Sequence, residues 1–379
     1  MSAIPQEAMN GAAELSKVSC LADRNVSHLV LGVLEDLAIP EIYIQRAKQL
    51  VLEDKRRAFG FGAGTALAED RADFVRFYVP RKYEAGVVRR IADAADLYLP
   101  GRGSIYAEDA LVSRSDGPAF DDGLLGLLSA ESKARDERHT VLCCIVQRGM
   151  ADMLARSMLD MGLCVPIVSF GEGMGLRNKL GLLRITIPVD KEVMYFIVPE
   201  RDADLVEGVA VHKARLDRPG QGFIYRYPVR ALAVNLRVRR GKRSSAASME
   251  QVIAALDELR GSSDWRRVAP SRKARPRAEH ALSDFACLSL IAEEGTVGDF
   301  VRAAMDAGAG GATLVPLEYH SFSAAAARSS HARETCDLIV ARSIVPAVME
   351  AVKERGLFTS GIHGIAEVTN VEKAVTYTG

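Results

Sequence analysis

A chain of 379 residues is too long for one ordinary compact core and implies roughly two to four domains. Apolar residues at 48% and charged residues at 26% are the proportions of a globular protein. A formal net charge of +0 excludes a bulk electrostatic pull toward nucleic acid or anionic membranes. No apolar run approaches the roughly 18 residues of a membrane helix, and the first residues lack the basic start and apolar core of a signal peptide, so the expected location is cytoplasmic.

Residues 1–25 show no sustained period and read as a flexible lead-in. From Ser27, the run SHLVLGVLE reads as a strand. The next stretch, IPEIYIQRAKQLVLEDKRR, spaces its apolar residues for a helix or a long strand alike. A glycine-bearing loop over 59–64 leads to a strand over 74–79. Val87, Val88, Ile91, Ala94 and Ala95 then set a helix over 83–96, closed by a Pro-Gly-Arg-Gly turn carrying Gly101, Arg102 and Gly103. These elements make a first unit, 26–115. Residues 116–138 form a linker with room for one helical turn.

The second unit, 139–238, opens on the apolar strand VLCCIV. Met153, Leu154, Met158 and Met161 follow at helical spacing, with Gly162 as the stop. A strand over 165–170 runs into Gly171, Glu172 and Gly173, which open a long excursion to residue 192. That excursion interleaves Arg177, Lys179, Arg184 and Lys191 with apolar residues such as Leu182 and Leu183. The pattern suits an arm docking on a protein partner, cationic support for a nucleotide phosphate, or a solvated hairpin extending the sheet. Residues 239–283 are a basic linker with an amphipathic helix expected over 249–260, and 284–379 are a third unit.

Self-similarity is the strongest signal. Residues 74–106 align without a gap onto 193–225 at an offset of 119: Phe77 meets Phe196, Pro100-Gly101 meets Pro219-Gly220, Gly103 meets Gly222, and Ile105-Tyr106 meets Ile224-Tyr225. The third unit follows the second at offsets of 146 and then 142, with Gly162 meeting Gly308 and Gly222 meeting Gly364. The expected fold class is α+β: three tandem β-α-β-β-α-β units of ferredoxin-like topology.

These residues resemble the PII signal-transduction proteins. The resemblance rests on the apolar first strand, the helix and its glycine stop, and the glycine-bearing entry to a long loop. The final G-x-G turn into Ile-Tyr and a Pro-Val strand completes it. The turn Gly220-Gln221-Gly222 lies where that family has its nucleotide-contacting B-loop, and 171–192 where it has its mobile T-loop, with Lys191 near the lysine at the loop base. The resemblance implies a non-catalytic regulator with three fused units closing as an intramolecular pseudo-trimer. It implies ATP or ADP, with magnesium, in clefts between units, and a partner transporter or metabolic enzyme engaged through the loop. The family's phosphate-binding lysine is replaced by Ser104, Phe223 and Ile365. The glutamine associated with 2-oxoglutarate is not evident, which leaves that ligand doubtful.

Physically, the G-x-G turns suit phosphate because glycine lets neighbouring N–H groups share one concavity. The same glycines equally suit a tight helix-to-strand turn. Two other functions stay open on these residues: a ligand-free scaffold, or a small-molecule or metal-binding protein on the same fold. Cys143 and Cys144 on one strand point to opposite faces, which argues against joint metal ligation. His320, His331 and His363 are scattered, and no catalytic constellation is visible.

Overall fold

The alternation of extended and helical periods builds the same six-element unit three times. The computed structural model describes residues 12–55, 64–114, 120–128, 138–175, 190–240, 281–282, 284–322, 332–359 and 362–376. The first unit comprises β1 (Ala13–Asp23), α1 (Ser27–Asp36), β2 (Ile42–Lys55), β3 (Gly64–Pro80), α2 (Glu84–Ala94) and β4 (Gly103–Arg114). A short helix, α3 (Asp122–Gly126), connects it to the second: β5 (His139–Gln147), α4 (Ala151–Asp160), β6 (Ile167–Met174), β7 (Asp190–Pro199), α5 (Ala203–Ala214) and β8 (Gly222–Ala233). Two-residue strands β9 (Arg239–Arg240) and β10 (Ala281–Leu282) precede the third unit. That unit comprises β11 (Phe285–Glu293), α6 (Val297–Asp306), β12 (Ala312–His320), β13 (Ala332–Ala341), α7 (Val345–Glu354) and β14 (Ile365–Val371), with β15 (Lys373–Thr376) after it. The chain is thus mixed α+β.

Strand order repeats as well. The units run β4-β1-β3-β2, β8-β5-β7-β6 and β14-β11-β13-β12, antiparallel throughout. The three sheets then join into one. At one set of edges β4 pairs with β14 and β8, and β15 pairs with β8. At the other, β2, β6 and β12 pair with one another in all three combinations. The pairings close a ring, which removes the free edges that three separate sheets would expose.

The two faces of this ring bury different things. Val18, Cys20, Val75, Phe77 and Ile105 of the first unit pack under α1 and α2, and equivalent strand faces of the second and third units pack under their own helices. The opposite faces turn to a shared centre, where Phe74, Tyr106, Cys143, Tyr195, Tyr225 and Cys287 of all three units form a core without any helix residue. Cys143 and Cys144 do fall on opposite faces, the first in this central core and the second under the helices.

Two element assignments differ from the sequence reading, and one open alternative resolves. The stretch read as a flexible lead-in contains β1, which pairs with both β3 and β4. Its inward positions are Leu15, Lys17, Ser19 and Leu21, so small and charged residues hide the alternation. SHLVLGVLE is the helix α1; a short apolar run fits either state, and the burial of Ser27, Val30, Val33 and Leu34 at helical spacing decides it. The open alternative for the following stretch resolves as strand. β2 pairs with β3 from Ile42↔Phe77 to Lys55↔Gly64, and the resulting hairpin reaches over the second unit, where Leu50 and Leu52 enter its helix-side core. The expected helix over 249–260 lies outside the described residues.

Candidate functional site

Strand register gathers the predicted residues of the second unit at one sheet end. Gly222 stands opposite Val146, Lys191 opposite Gln147, and Gly171 opposite Lys191, with about 5 Å between adjacent strands. The Gln147 amide donates to the Gly220 carbonyl at 2.9 Å and ties the turn to β5. Gly222 is in the left-handed region (φ 129), and a Cβ there would lie 2.0 Å from the Ile145 carbonyl oxygen. Gly103 meets Leu21 O and Gly364 meets Leu357 O at comparable distances, 2.1 and 2.0 Å. Close backbone approach alone therefore demands these three glycines.

The turns differ in one donor. In the first unit the Gly101 N–H donates to Asn235 Oδ1 at 2.9 Å, and the Arg237 side chain lies against Gly101. Asn235 is buried and fully engaged: its N–H donates to Ser104 Oγ, its Nδ2 to Gln49 Oε1, and its Oδ1 also accepts from Arg237 N. The tail of the second unit thus fills the first unit's corner. Arg102 lies at its rim, with Asp96 at 3.9 Å. In the second unit the equivalent Gly220 N–H has no partner among the described residues, and Thr376 of the third unit's tail donates to Gly222 O at 3.4 Å. Gln221 N only closes the turn onto Arg218 O.

Glu172 and Gly173 pair with Leu314 and Thr313 of β12, and a Cβ on Gly171 would lie 2.6 Å from Leu314 O. This entry to the long loop is therefore part of the seam with the third unit. Buried Glu192 accepts from Gly149 N (3.0 Å) and Ala151 N (2.7 Å), so a protein carboxylate already occupies the start of α4. Arg177, Lys179, Leu182, Leu183 and Arg184 lie outside the described residues.

A second polar centre lies where the units meet. The Lys17 ammonium donates to Glu367, and so does the Tyr78 hydroxyl. Glu108 stands 3.9 Å from Lys17, Ser289 donates to Asp337 at 2.6 Å, and Arg76 donates to Tyr195 at 3.0 Å while covering the Phe74 ring. These groups line a cavity of about 30 Å³, room for one or two waters and not for a nucleotide. Burial works against the Lys17 charge, but Glu367 and Glu108 outweigh it and raise its pKa above the ordinary lysine value. Burial pushes the Glu108 carboxyl up to about 7, with Lys17 opposing and Glu367 adding. Burial likewise raises the Tyr78, Tyr225 and Tyr227 hydroxyls and the Cys143 and Cys287 thiols, which leaves the two thiols poor nucleophiles.

The sequence reading missed this cluster. Each of its charges sits at an alternating position that reads as a solvated strand face; ring closure turns that face inward. Among the described residues no group of three or more His, Cys, Asp or Glu is placed for a metal ion, and no helix is long and apolar enough to cross a membrane. No protein-family model matches the chain, and no curated protein matches it.

Proposed function

We propose that the chain is a non-catalytic regulator of PII type, with three ferredoxin-like units closed as an intramolecular pseudo-trimer. Its ligand is an adenine nucleotide at the corner between the second unit's 220–222 turn and the third unit's tail. The observation that carries this reading is the contrast in one donor: Gly101 N–H is taken by Asn235, whereas Gly220 N–H has no partner among the described residues. A backbone donor at a left-handed glycine, with the strand-end Lys191 two strands away at the same sheet end, is a fitting phosphate contact. Ligand there orders the 171–192 arm, whose base lies in the same row of strands, for a partner transporter or enzyme. Magnesium accompanies the phosphates, and 2-oxoglutarate has no evident contact. The filled first corner supports a second reading, a scaffold whose corners hold the chain's own segments.

Calorimetric titration of the intact protein with ATP, ADP and AMP, with and without magnesium, tests both. We expect one nucleotide per chain, weakened about tenfold or more by Gln147→Leu, which removes the side chain that fixes the Gly220 carbonyl. The absence of binding to every nucleotide overturns the sensor reading and leaves the scaffold.

A further inference from the structure

The axial cavity contains one acid that the rest of the cluster does not bond. Glu108 is 5% exposed and lines the cavity. Its nearest cation, Lys17, stands 3.9 Å away and donates instead to Glu367. No hydrogen bond to Glu108 occurs among the described residues. A carboxylate buried in this way is costly to ionise.

Its position gives that cost a direction. The β4–β14 ladder runs from Arg114↔Ile365 to Ala110↔Thr369 and stops two residues before Glu108. Glu108 of the first unit lies beyond that point, and it shares the one ammonium of Lys17 with Glu367 of the third unit, which pairs with Val112 inside the ladder. The titratable groups around Glu108 and its cavity are Lys17 from β1, Tyr43 from β2, Arg76 and Tyr78 from β3, Tyr106 from β4 itself, Tyr195 from β7, Tyr225 and Tyr227 from β8, Cys287 from β11, Asp337 from β13, and Glu367 from β14. With Glu108 neutral, the two cations balance Asp337 and Glu367. With Glu108 ionised, the enclosed cluster carries one uncompensated negative charge.

We propose that Glu108 is a proton-binding site at the centre of the ring, and that its ionisation loosens the seam between the first and third units. The proton leaves the Glu108 carboxyl for solvent through the small cavity, and the resulting carboxylate repels Glu367, which sits inside the β4–β14 ladder opposite Val112. The rise of this carboxyl from 4.5 to about 7 supports the assignment. In that interval the native state holds a proton that the unfolded chain has released, so stability falls as pH rises through about 7 and is level above about 8.

The test uses the intact chain. In wild type we expect the unfolding equilibrium constant to rise by up to about 300-fold between about pH 3.5 and 8 through this group, with Glu108→Gln removing that component. Hydrogen exchange corrected for its intrinsic pH dependence should show β4–β14 amides losing protection over the same interval in wild type and not in Glu108→Gln. The carboxyl carbon of Glu108, followed by NMR in wild type, reads the site even where the variant folds poorly. A titration in the ordinary carboxylate range, or an identical pH profile in Glu108→Gln, overturns the proposal. So does restoration of the seam at pH 8 by sodium chloride but not by choline chloride, which assigns the cavity to a water-sized cation.

Discussion

The ammonium of Lys17 on β1 donates to the carboxylate of Glu367 on β14, 350 residues further along the chain and in a different unit. The Glu367 side chain is 1% exposed and that of Lys17 16%, so neither charge is freely solvated. Removing Glu367 leaves Lys17 with Glu108 alone, at 3.9 Å. Glu367→Leu should cost about 3–5 kcal/mol, whereas the Lys17→Met, Glu367→Leu double variant should recover most of it. Denaturant unfolding of the two single variants and the double variant measures the coupling. Strictly additive losses would mean that the pair does not act as a unit.

The repeat was legible because each unit needs the same apolar strand faces and the same glycine at the same close approach. The cluster around Lys17 was not, because ring closure is a property of three units together. A lysine between Ser16 and Val18 reads as an exposed position until β4 and β14 are known to meet. β1 was lost for the same reason: its inward face carries Lys17 and Ser19 to suit a polar cavity, which spoils an apolar alternation. α1 was misread because its apolar run satisfies both periods over nine residues, and only its packing against α2 selects the helix. The glycine turns were found, but periodicity could not show that Asn235, 134 residues away, fills one of them.

Gly222→Ala should be among the most damaging small substitutions in the chain. Its Cβ would lie 2.0 Å from the Ile145 carbonyl oxygen, against the Ile145–Val146 backbone and at a left-handed φ. The loss should reach several kcal/mol, or the variant should fail to fold. Gly32→Ala is the control in the other direction: Gly32 sits inside α1 with nothing within 4 Å of the new methyl. It should stabilise by about 0.5–1 kcal/mol. Thermal unfolding of both variants distinguishes steric demand from a general need for glycine.

Asn235→Ala removes the side-chain bonds to Gly101 N–H, Gln49 and Arg237 N–H at a site 4% exposed, while the main-chain bond from Asn235 N–H to Ser104 remains. The Gln49 oxygen and the Gly101 N–H lose their protein partners. A loss of about 2–4 kcal/mol is expected, from unsatisfied buried groups plus the lost packing. Exchange of the Gly101 amide should accelerate while that of α6, in the third unit, is unchanged. Equal acceleration in both places would show that Asn235 acts on global stability and not on the corner it fills.

Glu84 bridges the first and second units: Arg230 donates to both of its oxygens, at 2.8 and 2.7 Å, and Ser16 donates at 2.5 Å. Burial favours the neutral acid, but the bonds from Arg230 and Ser16 outweigh it and hold the carboxyl below its usual 4.5. Stability from this group is present above pH 4.5 and is lost as pH falls through the lower folded value. Its slope is opposite to that of Glu108, whose contribution falls between pH 4.5 and 7. Arg230→Met should therefore cost about 1 kcal/mol at pH 6, a figure kept small because Arg230 is 40% exposed. The difference from wild type should shrink as pH falls below 4 and should be unaffected by Glu108→Gln. Urea unfolding at pH 3.5, 6 and 8 measures this; a difference that grows on acidification would show that Arg230 acts through something other than the carboxylates it bonds, Glu84 and the exposed Asp109.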